Sequence, residues 1–208
     1  MARPLTGILG GTFNPVHRGH VELARIAADL FGLDEVWFIP CARPAHKTSR
    51  NLASNEDRLA MLRLAIAPHP SFRALSIEFE RPGTSYTFDT VSDLRTLHPD
   101  RDFAFVIGAD TLPQLHTWHR PLDLLAIVRF LTLARPGYPK PDPASLNLPP
   151  PWPERLLADF REAPLPDISS SDIRSRVLRG LPFLPLVPEP VFRYILQKRL
   201  YHDETIAD

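Results

Sequence analysis

Apolar and polar positions follow two rhythms along this chain, and the switches between them mark its elements. Leu5 to Leu9 is a short apolar run closed by Gly10-Gly11, the pattern of a buried strand. Val21, Leu23, Ala24, Ile26, Ala27, Leu30 and Phe31 then recur at helical spacing, with Gly32 as a stop. Val36-Trp37-Phe38-Ile39 predicts a second strand, closed by Pro40, and a polar loop runs from Cys41 to Ser54. Ser54 to Ala67 predicts a helix capped by Ser54, with Leu59, Leu62 and Ile66 on one face. Ala74 to Phe79 predicts a third strand, and Thr87 to Leu97 a helix.

The second half continues the alternation. Phe103 to Ile107 is the clearest buried strand, broken by Gly108-Ala109-Asp110. A helical pattern resumes from Leu112 through Ile127, and Val128 to Ala134 predicts a fifth strand ended by Arg135-Pro136-Gly137. Tyr138 to Pro153 is rich in proline and poor in period and reads as a surface excursion, ordered or partly mobile, within a proline-rich excursion spanning 138–163. Ser170 to Leu178 and Val191 to Leu200 are the last predicted helices, within a helical C-terminal part spanning 168–208. No internal repeat is visible. Strands alternating with helices predict an α/β fold, a parallel sheet with right-handed crossovers. Ligands of such sheets sit beyond the carboxyl ends of the strands. The polar breaks at Gly10, Pro40, Gly108 and Arg135 all follow strands, so they can converge on one side.

Composition narrows the class. The chain has 208 residues, 44% hydrophobic and 23% charged, which suits one globular domain over 1–208. Its 24 basic and 24 acidic residues cancel, which argues against a broad footprint for nucleic acid. Cys41 is the only cysteine, so no intrachain disulfide forms and a cytoplasmic location is expected. No apolar run has membrane-spanning length, and the first residues lack the apolar core of a secretory signal.

The candidate chemistry begins at Gly10-Gly11-Thr12-Phe13-Asn14-Pro15-Val16-His17-Arg18-Gly19-His20. Glycines let backbone approach a phosphate closely, a helix start offers free N–H groups, and two imidazoles can donate to phosphoryl oxygens. A tight turn alone, or half a zinc site, are the alternative readings. Neither a Walker A loop nor Gly-x-Gly-x-x-Gly is present. A second segment, Ile168-Ser169-Ser170-Ser171-Asp172-Ile173-Arg174, joins capping serines to a cation in the first helical turn. A cation there opposes the helix dipole unless an anion occupies the end. Further candidates are Lys47 in the loop after the second strand, Ser85-Tyr86-Thr87, and Gly108-Ala109-Asp110 with Trp118. Trp118 is either core or a flat wall for an aromatic ring.

In order along nearly the whole chain, these segments resemble bacterial nicotinate mononucleotide adenylyltransferases. The matching pieces are Gly10 to His20, Pro44-Ala45-His46-Lys47, Arg81 to Thr90, Ile107 to Trp118, Ala134 to Gly137, Ile168 to Arg174, and Leu186-Val187-Pro188 with Val191 to Ile195. His-x-Gly-His marks the wider nucleotidyltransferase superfamily; Ser85-Tyr86-Thr87 with Gly108-Ala109-Asp110 and Trp118 narrows it. The pattern departs at Asn14, where many relatives carry aspartate, and at Ala45, which replaces a second proline. The resemblance implies a Rossmann-like, doubly wound sheet with helices on both faces. It implies adenylyl transfer from ATP to nicotinate mononucleotide, with magnesium accompanying ATP and no covalent intermediate; no residue is assigned a metal role. It assigns catalysis to His17, His20 and Arg174. ATP binding falls to Gly10, Gly11, Thr12, Phe13, His20, Gly108, Asp110, Ile168, Ser169, Ser170 and Arg174. Substrate binding falls to Lys47, Ser85, Tyr86, Thr87, Asp110, Trp118 and Arg135. Neither nucleic acid nor membrane is an expected partner, and a homo-oligomer is left open. The nearest rival acceptors are nicotinamide mononucleotide and a pantetheine phosphate.

Overall fold

Buried apolar runs become the strands and amphipathic stretches the helices in a computed structural model that describes residues 2–42, 52–135 and 137–202. Among these, six strands form one sheet: β1 (Leu5–Gly11), β2 (Glu35–Pro40), β3 (Phe72–Ala74), β4 (Asp102–Gly108), β5 (Arg129–Ala134) and β6 (Phe160–Glu162). Their order is β3-β2-β1-β4-β5-β6, the doubly wound order in which connections reverse between β1 and β4. The fold is Rossmann-like α/β.

The chain divides into two compact units. The first comprises Met1–Gly10, Leu23–Trp37 and Tyr86–Leu165; the second comprises Gly11–Glu22, Phe38–Ser85 and Pro166–Asp208. In the first, β1 pairs parallel with β4 from Leu5↔Asp102 to Ile8↔Phe105. β4 pairs parallel with β5 from Ala104↔Arg129 to Gly108↔Leu133, and β5 with β6 from Thr132↔Phe160 to Ala134↔Glu162. This register brings Gly10, Gly108 and Arg135 to the same carboxyl edge. Phe103 to Ile107 are all buried, as expected of a strand covered on both faces. Helix α3 (Thr87–Leu97) lies on this unit, and α4 (Pro121–Ile127) follows a 3-10 helix over Ala109–Thr117.

In the second unit, α2 (Asn55–Ile66) starts at Ser54, whose hydroxyl accepts the Asp57 N–H. It packs against α7 (Glu189–Gln197), where the Tyr194 hydroxyl donates to the Asp57 carboxylate at 2.9 Å. Helix α6 (Ser170–Leu178) is capped by Ser169, which accepts the Asp172 N–H. Both α3 and α6 have the predicted bounds. Helix α1 (Arg18–Phe31) begins within the second unit and continues in the first.

Four expectations are corrected. The third strand is Phe72–Ala74 rather than Ala74 to Phe79. Leu75 N–H still donates to the Phe38 carbonyl, but Pro40 has no N–H with which to extend the ladder, and the chain turns with Phe79 N–H on the Ser76 carbonyl at 2.8 Å. The helix expected over Leu112 to Ile127 is two pieces. Arg120, held before Pro121, adopts φ 51° and separates them. Residues 138–163 are a surface excursion only in part: Tyr138 to Pro153 is largely exposed apart from Leu146 and Pro153, and the remainder is built into the fold. They supply helix α5 (Trp152–Ala158) and edge strand β6, and they bury Leu146, Leu156, Leu157 and Phe160. These pieces are too short to show a period. Finally, the buried face of α2 is Arg58, Met61, Leu62, Ala65 and Ile66, with Leu59 off it.

Candidate active site

The second unit gathers the histidine segment and the start of α6. After β1, Phe13 takes a left-handed backbone at φ 48°, uncommon for a bulky residue and a mark of local constraint. Its ring is buried at 1% exposure. It lies edge-on to His20 with centroids 5.0 Å apart and 5.8 Å from Phe38. His17 and His20 stack at 3.6 Å and 25°. The His17 backbone N–H donates to His20 Nδ1 at 3.2 Å. Gly19 permits this: a Cβ there would stand 3.0 Å from His17 Nδ1 and 3.7 Å from Ile168 Cβ.

That last contact brings α6 to the loop. Ser170 donates its hydroxyl to the Pro15 carbonyl at 2.9 Å, and Arg174 Nη1 donates to the Asn14 carbonyl at 2.7 Å. Arg174 Nη2 also reaches the Ser171 hydroxyl at 3.2 Å. Burial lowers the Arg174 guanidinium below its ordinary range, partly offset by Tyr201. The Ser169 and Ser170 side chains are thus engaged in capping and loop attachment, and that of Ser171 accepts from Arg174. Helix geometry leaves the N–H groups of Ser170 and Ser171 outside its own ladder, the usual anion-binding surface of a helix start.

Arg58, a residue absent from the sequence candidates, organises the same loop from beneath. It is fully buried. Its Nη1 donates to the Thr12 and Cys41 carbonyls, both at 2.7 Å. Its Nη2 donates to Asn55 Oδ1 at 2.6 Å, and its Nε to the Ala53 carbonyl at 3.3 Å. Its legible signal was position: Arg58 occupies the stripe continued by Met61, Leu62 and Ala65. Tyr201 and Asn14, joined by a 2.7 Å hydrogen bond, were also outside the candidate set. Ser85 lies beside the Cys41 thiol and hydrogen-bonds it. Lys47, with Pro44-Ala45-His46, falls outside the described residues.

The remaining candidates lie in the first unit. A Cβ on Gly108 would strike Asp110 Oδ1, so the Asp110 carboxylate folds back over that glycine. Trp118 is half-buried and edge-on to Phe105 and Phe130, with centroids 6.0 and 6.3 Å away. It therefore has an apolar anchor and a partly open ring. Tyr86 stacks on His119 at 4.2 Å, which draws the start of α3 to the segment carrying Trp118. Thr87 opens α3, and Arg135 is exposed just past β5. Among the described residues, no three His, Cys, Asp or Glu side chains are placed to hold a metal ion, and no helix is long and apolar enough to cross a membrane.

The chain is similar to proteins of known family. The family model described as cytidylyltransferase-like matches residues 8–176. A probable nicotinate-nucleotide adenylyltransferase of Geobacillus thermodenitrificans is 44% identical over 203 residues, covering 97% of this chain and 88% of the relative. One of Bacillus pumilus is 42% identical over 195 residues, covering 94% and 97%. The solved structure of Plasmodium falciparum nicotinic acid mononucleotide adenylyltransferase complexed with NaAD matches with TM-score 0.74 over 95% of this chain and 97% of that one, at 21% identity, a likeness of fold. The chain belongs to the nicotinate-nucleotide adenylyltransferase family of cytidylyltransferase-like nucleotidyltransferases.

Proposed function

We propose that this enzyme, acting as one cytoplasmic nucleotidyltransferase domain over 1–208, transfers the adenylyl group of ATP to nicotinate mononucleotide. The mononucleotide 5′-phosphate attacks the α-phosphorus in line, pyrophosphate leaves, and nicotinate adenine dinucleotide forms without a covalent enzyme intermediate. The observation that carries the reading is the attachment of the Arg174 helix start to the loop bearing His17 and His20, through Asn14 and Pro15.

Phosphoryl chemistry needs positioning and charge neutralisation more than a protein nucleophile. His17 and His20 donate to the α-phosphate as its charge grows, where donors matter most. Arg174 and the α6 start hold the β- and γ-phosphates, with Gly10, Gly11 and Thr12 lining the approach. The Phe13 side chain lies under His20 and leaves its backbone for the nucleotide. Trp118 stacks on the pyridine ring, and the backbone about Thr87 reads its carboxylate with Ser85 and Tyr86. Asp110 contacts ribose, and Lys47 or Arg135 the acceptor phosphate.

The donor set around the loop is N–H, hydroxyl and guanidinium, and Asn14 Oδ1 already accepts from Tyr201 and Ala53. These groups fit the anionic face of a magnesium–ATP complex rather than the metal itself. Magnesium bound to ATP would supply charge neutralisation of the phosphates.

The test combines ATP, magnesium and each of nicotinate mononucleotide, its amide and a pantetheine phosphate, with products identified by mass. Nicotinate adenine dinucleotide is the expected main product. Equal kcat/KM for acid and amide overturns the acid preference, and no dinucleotide from any acceptor overturns the reaction.

A further inference from the structure

The chain beyond α7 doubles back on itself. Leu200 N–H donates to the Ile195 carbonyl at 3.0 Å, and Arg199 and Tyr201 hold left-handed backbones at φ 51° and 67°. A bulky residue keeps such a conformation where its surroundings fix it. Tyr201 is fixed to Asn14: its hydroxyl donates to Asn14 Oδ1 at 2.7 Å. The same oxygen accepts the Ala53 backbone N–H at 3.0 Å. Since a backbone N–H can only donate, this second bond sets which end of the amide faces Tyr201. Asn14 is 5% exposed, and its carbonyl is the oxygen that Arg174 Nη1 grips at 2.7 Å.

We propose that Tyr201 is a positioning residue for adenylyl transfer, locking Asn14 and thereby the carbonyl against which Arg174 presents its guanidinium to the leaving phosphates. The inference rests on the reaction proposed above. Tyr201 touches no substrate in this scheme and acts through Asn14. Pro15, next in the chain, is gripped in turn by Ser170. A swing of the Asn14 peptide would therefore shift both attachments of α6 to the histidine loop. Displacements of about 1 Å in such frames cost up to about a hundredfold in rate. Burial pushes the Tyr201 phenol far above its usual value against the pull of Arg174 and Arg58, so the hydroxyl keeps its proton and stays a donor.

Tyr194 supplies the comparison. Its hydroxyl makes a bond of similar length, 2.9 Å, but to Asp57. Tyr201→Phe and Tyr194→Phe each delete one oxygen from the full-length enzyme. The measurements are kcat, KM for ATP and nicotinate mononucleotide, melting temperature, and amide exchange of residues 12–20. Tyr201→Phe is expected to lower kcat about tenfold, the scale of one lost hydrogen bond, with KM for the mononucleotide little changed and faster exchange in 12–20. Tyr194→Phe is expected to lose a comparable amount of thermal stability and keep its kcat. In an Asn14→Ala background, Tyr201→Phe is expected to cost nothing further, because the two residues act as one unit. An unchanged kcat in Tyr201→Phe, an equal fall in both tyrosine variants, or additive losses in the double variant overturns the proposal. Wild-type enzyme that forms no dinucleotide sinks the reaction instead; unchanged exchange in 12–20 then sinks the lock as well.

Discussion

The backbone N–H of His17 points at Nδ1 of His20, 3.2 Å away. A ring nitrogen that accepts an N–H carries no proton, so the neutral imidazole of His20 holds its proton on Nε2. The stack on His17 and the edge of Phe13 set the ring plane. His20 is thereby a preset Nε2–H donor. Replacing it with alanine is expected to lower kcat by about a hundredfold or more, the scale of one lost transition-state donor, while melting temperature and ATP affinity change little. Product formation and calorimetric ATP titration check this; near wild-type turnover would remove His20 from the chemistry.

Gly19→Ala separates geometry from stability. Gly19 lies in the first turn of α1, where alanine is the better helix former by up to about 1 kcal/mol. Its new Cβ would stand 3.0 and 3.1 Å from His17 Nδ1 and Cε1. His17 is 6% exposed, so its ring has little room to yield. The expected variant melts no lower than wild type yet turns over more slowly, by about tenfold or more for a misplaced donor. Thermal melts and kcat measured together decide it, and full activity would show that the His17 ring has slack.

The strands that order the sheet were legible because Phe103 to Ile107 is apolar on both faces and Leu5 to Leu9 is so except at Thr6. The start of α6 was legible because Ser169 is a capping residue and does cap. Alternation misled at Ala74 to Phe79: the side chain buried there is Glu78, opposite in parity to the apolar set. Arg58 escaped notice because a cation in an apolar stripe reads as a surface residue until its carbonyl acceptors are placed. Tyr201 escaped because its partner lies 187 residues away in the chain. Chemistry carried by a local run was readable, whereas support assembled from distant segments was not.

Arg58→Met tests that support. Methionine keeps the length and apolar stem but removes every donor from a site with no exposure. The Thr12, Cys41 and Ala53 carbonyls and Asn55 Oδ1 would each lose a partner. Each orphaned buried acceptor costs about 1–3 kcal/mol, and some will find water. A net loss of about 3 kcal/mol, or roughly 6–12 °C in Tm for a chain of this size, is expected. Urea and thermal unfolding measure it. A loss below about 1 kcal/mol, within the range of ordinary surface changes, would show that the loops hold without Arg58.

Cys41 gives the alkaline limit a residue. Burial, and next the Glu78 carboxylate, push its thiol from an ordinary 9.0 to about 11, against the weaker pull of Ser85 and Arg58. The folded state therefore holds this proton more tightly than the unfolded chain. Its contribution to stability is complete below pH 9.0 and is lost as pH rises through about 11. Serine does not titrate there, so Cys41→Ser is expected to show a shallower fall of urea midpoint across that window. Tyr201, raised in the same direction, remains in both proteins and cancels from the comparison. The thiolate is the reactive form, so wild-type Cys41 should also alkylate slowly at neutral pH and faster only on unfolding. Parallel midpoint curves for wild type and Cys41→Ser, with fast alkylation of the folded enzyme, would place the thiol in water rather than against Glu78.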